Sequence, residues 1–172
     1  QTETELTDHA LTLTGKSGET IPESDVQTHI DVLKSMGYDI VDNPFDKDPA
    51  FDTKKDTNDN ITQEFTIKVQ PRVSTAKTVY VVEGDKLSAE KVKDAVATEG
   101  NQKTVDETKI PETTGKVGDD TLTAPVTVTY GSGDKKREEI VNVPVKVVQG
   151  YQQIVPVAVS YTHLTLPTIY SV

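Results

Sequence analysis

The residues best suited to chemistry are the oxygen donors between Asp42 and Asn60: Asp42, Asp46, Asp48, Asp52, Asp56, Asn58, Asp59 and Asn60. Carboxylate and amide oxygens at this density suit Ca²⁺, which takes roughly six to eight such ligands. Asp56-Thr57-Asn58-Asp59-Asn60 opens like an EF-hand loop. That loop then needs Gly for a sharp turn and a final bidentate Glu, and the chain has Ile61 and Ile67 there. The EF-hand reading fails. What stays open is a calcium site of another kind, built from Asp46, Asp48, Asp52, Asp56 and Asp59, against a solvated acidic loop.

Other chemistry is excluded more firmly. The chain has no Cys, so no thiolate metal site forms, and His9, His29 and His163 lack ligand spacing. Gly15-Lys16-Ser17 matches the end of a phosphate-binding loop, but Ala10 stands where its first Gly belongs. The many carboxylates fall in no glycosidase context. No reaction is expected.

The elements that must position these residues divide near Arg72. His9-Ala10-Leu11-Thr12-Leu13-Thr14 alternates as a half-buried strand does. Ser24-Asp25-Val26-Gln27 reads as a capping box. Val26, Ile30, Leu33 and Met36 recur at helical spacing, and Gly37 follows, which predicts a helix over 25–36. Tyr38-Asp39-Ile40-Val41 starts a strand. Gln63 to Gln70 alternates, with Phe65, Ile67 and Val69 facing the helix. Beyond Arg72, Lys77 to Val82 is a β-branched strand. Ser88 caps a short helix, Ala89–Thr98, with Val92, Ala95 and Val96 as its stripe and Gly100 at its end. A polar stretch runs to Thr121. Val126–Tyr130 and Val141–Val147 alternate strictly around Gly131-Ser132-Gly133-Asp134, a hairpin signal.

Length and composition agree with two small units. The chain has 172 residues. Each half has roughly 70–80, near the lower limit for a core without staples. Aromatics are only 5% and Trp is absent, so the cores rest on Val, Ile, Leu and Ala. The net charge is −10. Residues 1–72 hold fifteen acidic and seven basic side chains, a net of −8; residues 73–150 hold thirteen and eleven, a net of −2. An acidic surface argues against nucleic acid and anionic membranes as partners. No stretch is long and apolar enough to span a bilayer. The chain starts at Gln1 without a signal peptide and reads as a fragment of a longer protein.

Leu13-Thr14-Gly15-Lys16-Ser17-Gly18-Glu19, Met36-Gly37-Tyr38-Asp39-Ile40-Val41, Phe51-Asp52 and Gln63 to Val69 together resemble the repeat of bacterial mucus-binding proteins, over most of residues 10–70. The resemblance implies a β-grasp-like α+β domain on the surface of lactic-acid-type Gram-positive bacteria. This copy departs twice. Its leading strand is largely missing, so it reads as N-terminally truncated with an unpaired sheet edge, and Asn43–Asp59 is longer than usual. Gly84 to Val92, Thr114-Gly115-Lys116-Val117-Gly118, Val126 to Tyr130 and Val143-Pro144-Val145-Lys146-Val147 resemble the Rib/alpha-like repeat of Gram-positive surface proteins. That family writes its hairpin Tyr-Pro-Asp-Gly, where this chain has Tyr130-Gly131-Ser132-Gly133. The resemblance implies an Ig-like stalk repeat without enzyme activity.

From Val147 onward no residue is charged, in a chain that is 27% charged. Ser160 to Val172 resembles adapter or vector read-through, so 151–172 is expected to be non-native. Leu166-Pro167-Thr168 is not a sortase signal, because Ile169 and Tyr170 follow.

The expected fold is α+β then mostly β: a truncated β-grasp-like module at 1–72, then an Ig-like Rib-type β module with one short helix at 73–150. The expected function is a non-enzymatic segment of a Gram-positive cell-surface adhesin. Its partners would be mucin or another host glycoprotein and neighbouring repeats of the same chain. Tyr38, Phe45 and Phe51 are the candidate ligand contacts, with core packing as the competing role. The alternative is a pure stalk that projects a distant binding domain, favoured by the scarcity of aromatic hot spots.

Overall fold

The structure, a computed structural model, describes residues 3–16, 18–47, 50 and 64–151. Asp48, Phe51, Asp52, Asp56, Asp59 and the tail from Gln152 lie outside the described residues.

Helix α1 spans Glu23–Ser35. It starts earlier than the capping box predicts. Pro22 takes the N-cap with φ −61° and no side-chain cap, and Ser24 stands inside the first turn. The fixed φ of Pro22 already suits a helix start, and the Asp25 N–H donates to its carbonyl at 3.2 Å. Glu23 and Asp25 place negative charge where the first N–H groups point. The predicted stripe is buried: Val26, Ile30, Leu33 and Met36 are at most 5% exposed. The predicted stop holds too, with Gly37 at φ +77° and its N–H donating to Lys34.

Strand β1, Tyr38–Asp42, pairs antiparallel with β2, Lys68–Pro71, with a register irregularity between Ile40 and Asp42. The helix packs on this pair. Ile21, Val26 and Ile30 form one cluster with Leu13, Ile40, Phe45 and Ile67, and Leu33, Met36 and Tyr38 form another with Val69. Ile67 and Val69 thus face the helix as expected. Phe65 does not, being 38% exposed. The strand expected over 9–14 is absent. Thr7–His9 is a short 3₁₀ turn, and residues 10–14 have no regular structure. Among the described residues this segment has no ladder to join, and alternation without a partner strand leaves the backbone to water.

The C-terminal part is mostly β. It contains β3 (Thr75–Ala76), β4 (Val79–Val82), helix α2 (Ala89–Asp94), β5 (Val96–Ala97), β6 (Gln102–Val105), β7 (Thr123–Ser132) and β8 (Lys135–Val148). Four strands form one sheet in the order β4-β8-β7-β6. The β4–β8 pair is parallel, and the other two pairs are antiparallel. Ser88 caps α2 as predicted, its hydroxyl accepting from the Lys91 N–H at 3.2 Å. The helix ends at Asp94, not Thr98. Val96 and Ala97 leave it to pair with Ala76 and Thr75, where β-branched Val96 suits a strand and is buried. The polar stretch before Thr121 contains β6, whose side chains alternate too weakly to announce a strand but whose backbone completes the ladder on β7.

The core of this part is nearly all valine, with Leu87, Ala124 and Tyr130. Its long hairpin turns at Gly133, and Ser132 faces Lys135. Gly131 has φ +80°, and any Cβ there would overlap the Lys135 carbonyl oxygen. Gly131→Ala is therefore expected to destabilise the chain by about 1–3 kcal/mol. A urea denaturation midpoint unchanged from the parent chain would contradict this.

Candidate binding surface

Few aromatic rings serve the N-terminal part, and their placement decides what they can contact. Tyr38 is 8% exposed, packed with Leu33 and Met36, and the Arg137 guanidinium lies 5.1 Å from its ring centre. Tyr38 is thus buried in the packing, the role that competes with ligand contact. Phe45 is half-buried in the short turn Pro44–Lys47. An Asn43 side chain holds that turn, accepting from the Phe45 N–H at 3.1 Å and donating to Asp46 at 2.8 Å. The Phe45 ring meets Phe65 with centroids 5.1 Å apart and planes tilted by 49°. Phe65 was expected in the core; instead it forms, with Phe45, a partly exposed aromatic pair. Its position at the start of an alternating run gave no sign of this, because the strand itself begins only at Lys68.

Of the five carboxylates weighed as a calcium site, Asp46, Asp48, Asp52, Asp56 and Asp59, only Asp46 is described. It is exposed and tied to Asn43. Among the described residues no three His, Cys, Asp or Glu side chains converge as a metal site would require.

The β1–β2 pair offers a second kind of surface. Among the described strands each pairs on one side only, leaving an edge of N–H and C=O groups. Exposed charges border it. Lys68 donates to Glu3 at 2.8 Å, which lowers the Glu3 carboxyl below its ordinary range and raises the Lys68 ammonium. Val41 is 63% exposed on β1.

One end of the pair, at Tyr38 and Pro71, is held by contacts to β8. The Arg137 Nε donates to the Met36 carbonyl at 2.9 Å. Its Nη2 donates to the carbonyls of Gly37 at 3.1 Å and Arg72 at 2.9 Å. Met36 and Gly37 carry carbonyls at the α1 C-terminus, where intrahelical donors run out and a cation is favoured. The same guanidinium lies 4.4 Å from the centre of the Tyr130 ring. Arg72 donates its backbone N–H to Gly37 at 2.7 Å and ion-pairs with Asp39 and Glu99. Next along the chain, buried Ser74 donates its N–H to Glu139, and its Oγ lies 2.8 Å from that carboxylate, 2.7 Å from Thr98 Oγ1 and 3.0 Å from the Tyr130 hydroxyl. Glu139 can only accept, so the Ser74 hydroxyl donates to it. The segment from Arg72 to Ser74 is strapped down, not a loose connection.

Arg137→Gln is expected to destabilise the N-terminal part by about 1.5–3 kcal/mol, the range for hydrogen bonds to a charged group. Arg137→Lys should recover only part of this, because an ammonium cannot reproduce the planar fork. Calorimetric unfolding of the full chain checks it, and identical profiles for all three chains would contradict it. A pH effect follows from His29. Burial first, then the charges of Lys135 and His9, hold its imidazole below its ordinary 6.5, and a backbone hydrogen bond with His9 opposes them. The folded state binds this proton more weakly than the unfolded chain. Its contribution to stability is fully present above pH 6.5 and is lost as pH falls through the folded value. His29→Gln should flatten that part of the stability–pH curve, measured by urea melts between neutral and mildly acid pH.

Among the described residues no helix is long and apolar enough to cross a membrane. A protein-family model described as a mucin-binding domain matches residues 1–70. No curated protein matches the chain, and no solved structure matches it. The part of the chain that ends with β2 is thus similar to mucin-binding domains.

Proposed function

We propose that residues 1–70 bind mucin or a related host glycoprotein and that the chain is a non-enzymatic segment of a bacterial surface adhesin. The match to a mucin-binding domain over those residues carries the proposal. The geometry supplies means of contact. An open strand edge accepts an extended peptide by backbone pairing. The Phe45–Phe65 pair offers a partly exposed aromatic surface nearby, the kind of group on which binding energy concentrates. In the finer reading the parent protein sits on a Gram-positive cell wall, and residues 73–150 are a Rib-like repeat beside further repeats.

The test is binding of the full chain to immobilised mucin, with and without chelator. The full chain should bind, and Phe65→Ala should weaken binding by about tenfold, equivalent to roughly 1.4 kcal/mol. Loss of binding in chelator would place a Ca²⁺ among Asp46, Asp48, Asp52, Asp56 and Asp59. Insensitivity to chelator would leave the edge and the aromatic pair as carriers. Absence of binding by a folded chain would overturn the adhesin reading and leave a stalk.

A further inference from the structure

The first and last strands of the C-terminal sheet run side by side in the same direction. Val79, Tyr80, Val81 and Val82 of β4 face Val145, Lys146, Val147 and Val148 of β8. The pairing extends one step further, where the Glu83 N–H donates to the Val148 carbonyl at 2.9 Å. Chain enters this pair at the Val79 end and leaves it at the Val148 end. Tension along the chain therefore pulls β4 backwards and β8 forwards. The two strands must slide past each other, and every hydrogen bond between them is loaded at once. In an antiparallel terminal pair the same tension would open the ladder from one end, one bond at a time.

We propose that the C-terminal part is a load-bearing element whose mechanical resistance resides in the β4–β8 shear clamp. Three further features suit that role. The inward side chains of the clamp, Val79, Val81, Val145 and Val147, are at most 6% exposed, so water reaches its bonds poorly from that face. Ahead of the clamp, β8 is anchored over residues 135–144 by the long ladder to β7, and the Val145 N–H donates to the Leu122 carbonyl at 2.9 Å, so the strand that carries the load is held beyond the clamp. The approach to β4 is fastened as well. Ser74 bonds Glu139 on β8, β3 pairs with β5, and the Lys77 N–H donates to Ala95 at 2.9 Å. Load arriving through Arg72 meets these fastenings before it reaches Val79. The inference concerns residues 73–151 and does not rest on mucin binding, so either can fail alone.

The chain has no Cys, so attachment points for pulling can be chosen freely. Two versions of the full chain are compared in single-molecule force spectroscopy. Lys77→Cys with Tyr151→Cys loads the clamp in shear. Lys86→Cys with Tyr151→Cys pulls β4 and β8 apart from their adjacent ends and peels the same bonds in sequence. All three positions are exposed, so both chains should show the same thermal unfolding as the parent. The expected result is an unfolding force several times higher in the shear geometry at equal pulling speed. Equal forces in the two geometries, or a higher force on peeling, would overturn the proposal. If either pair of substitutions shifts the thermal transition, Thr75→Cys replaces Lys77→Cys or Asp85→Cys replaces Lys86→Cys, and the comparison decides in the same way.

Discussion

The alternation of β8 is the constraint on which the rest of the structure depends. Val141, Val143, Val145 and Val147 all point into the core, as their two-residue spacing demands. Arg137 and Glu139 continue the same parity. The strand that seals the C-terminal core therefore presents, from the same face, Arg137, which holds the N-terminal part, and Glu139, which fastens Ser74 just after it. A one-residue slip of β8 against β7 would move every core valine to the outer face and withdraw both groups together. Tyr130 lies opposite Arg137 in this register, so the cation and its aromatic partner are fixed by the same hairpin.

This arrangement explains how a small N-terminal part holds its shape. Among the described residues its apolar groups fall into two modest clusters around one helix and a two-stranded sheet. A pair of strands is marginal on its own. Arg137 supplies donors to carbonyls at the helix end and at Arg72, and Gly37 lets those groups approach. A Cβ at Gly37 would press on Tyr130 and Arg137, so glycine is required there both for its left-handed φ and for this contact. The β1–β2 pair is thereby fastened, at its Tyr38–Pro71 end, to the C-terminal part with its larger core.

Under the two proposals, recognition and load fall to different parts of one chain. The N-terminal part is acidic and, among the described strands, has an open sheet edge. The C-terminal part is nearly neutral and buries its valines behind a long hairpin. A binding segment on a tether benefits from this division, because the element that contacts a partner can stay small while the element that resists tension is densely bonded.

Local features were legible in the sequence because they depend on neighbours a few residues away. The helix stripe from Val26 to Met36, the stop at Gly37, the Ser88 cap and the β7–β8 hairpin are of this kind. The start of α1 was misread because Ser24 and Gln27 satisfy a capping pattern, while Pro22 alone already sets the turn. Other features belong to the tertiary structure. β6 exists because β7 offers it a ladder, not because Gln102–Val105 favours a strand. α2 stops at Asp94 because Val96 and Ala97 find β3. The parallel β4–β8 pair and the reach of Arg137 to Met36 join residues far apart in sequence. Periodicity tells which side of an element is buried; it carries no information about which distant element covers it, and that choice rests on the packing of the whole chain.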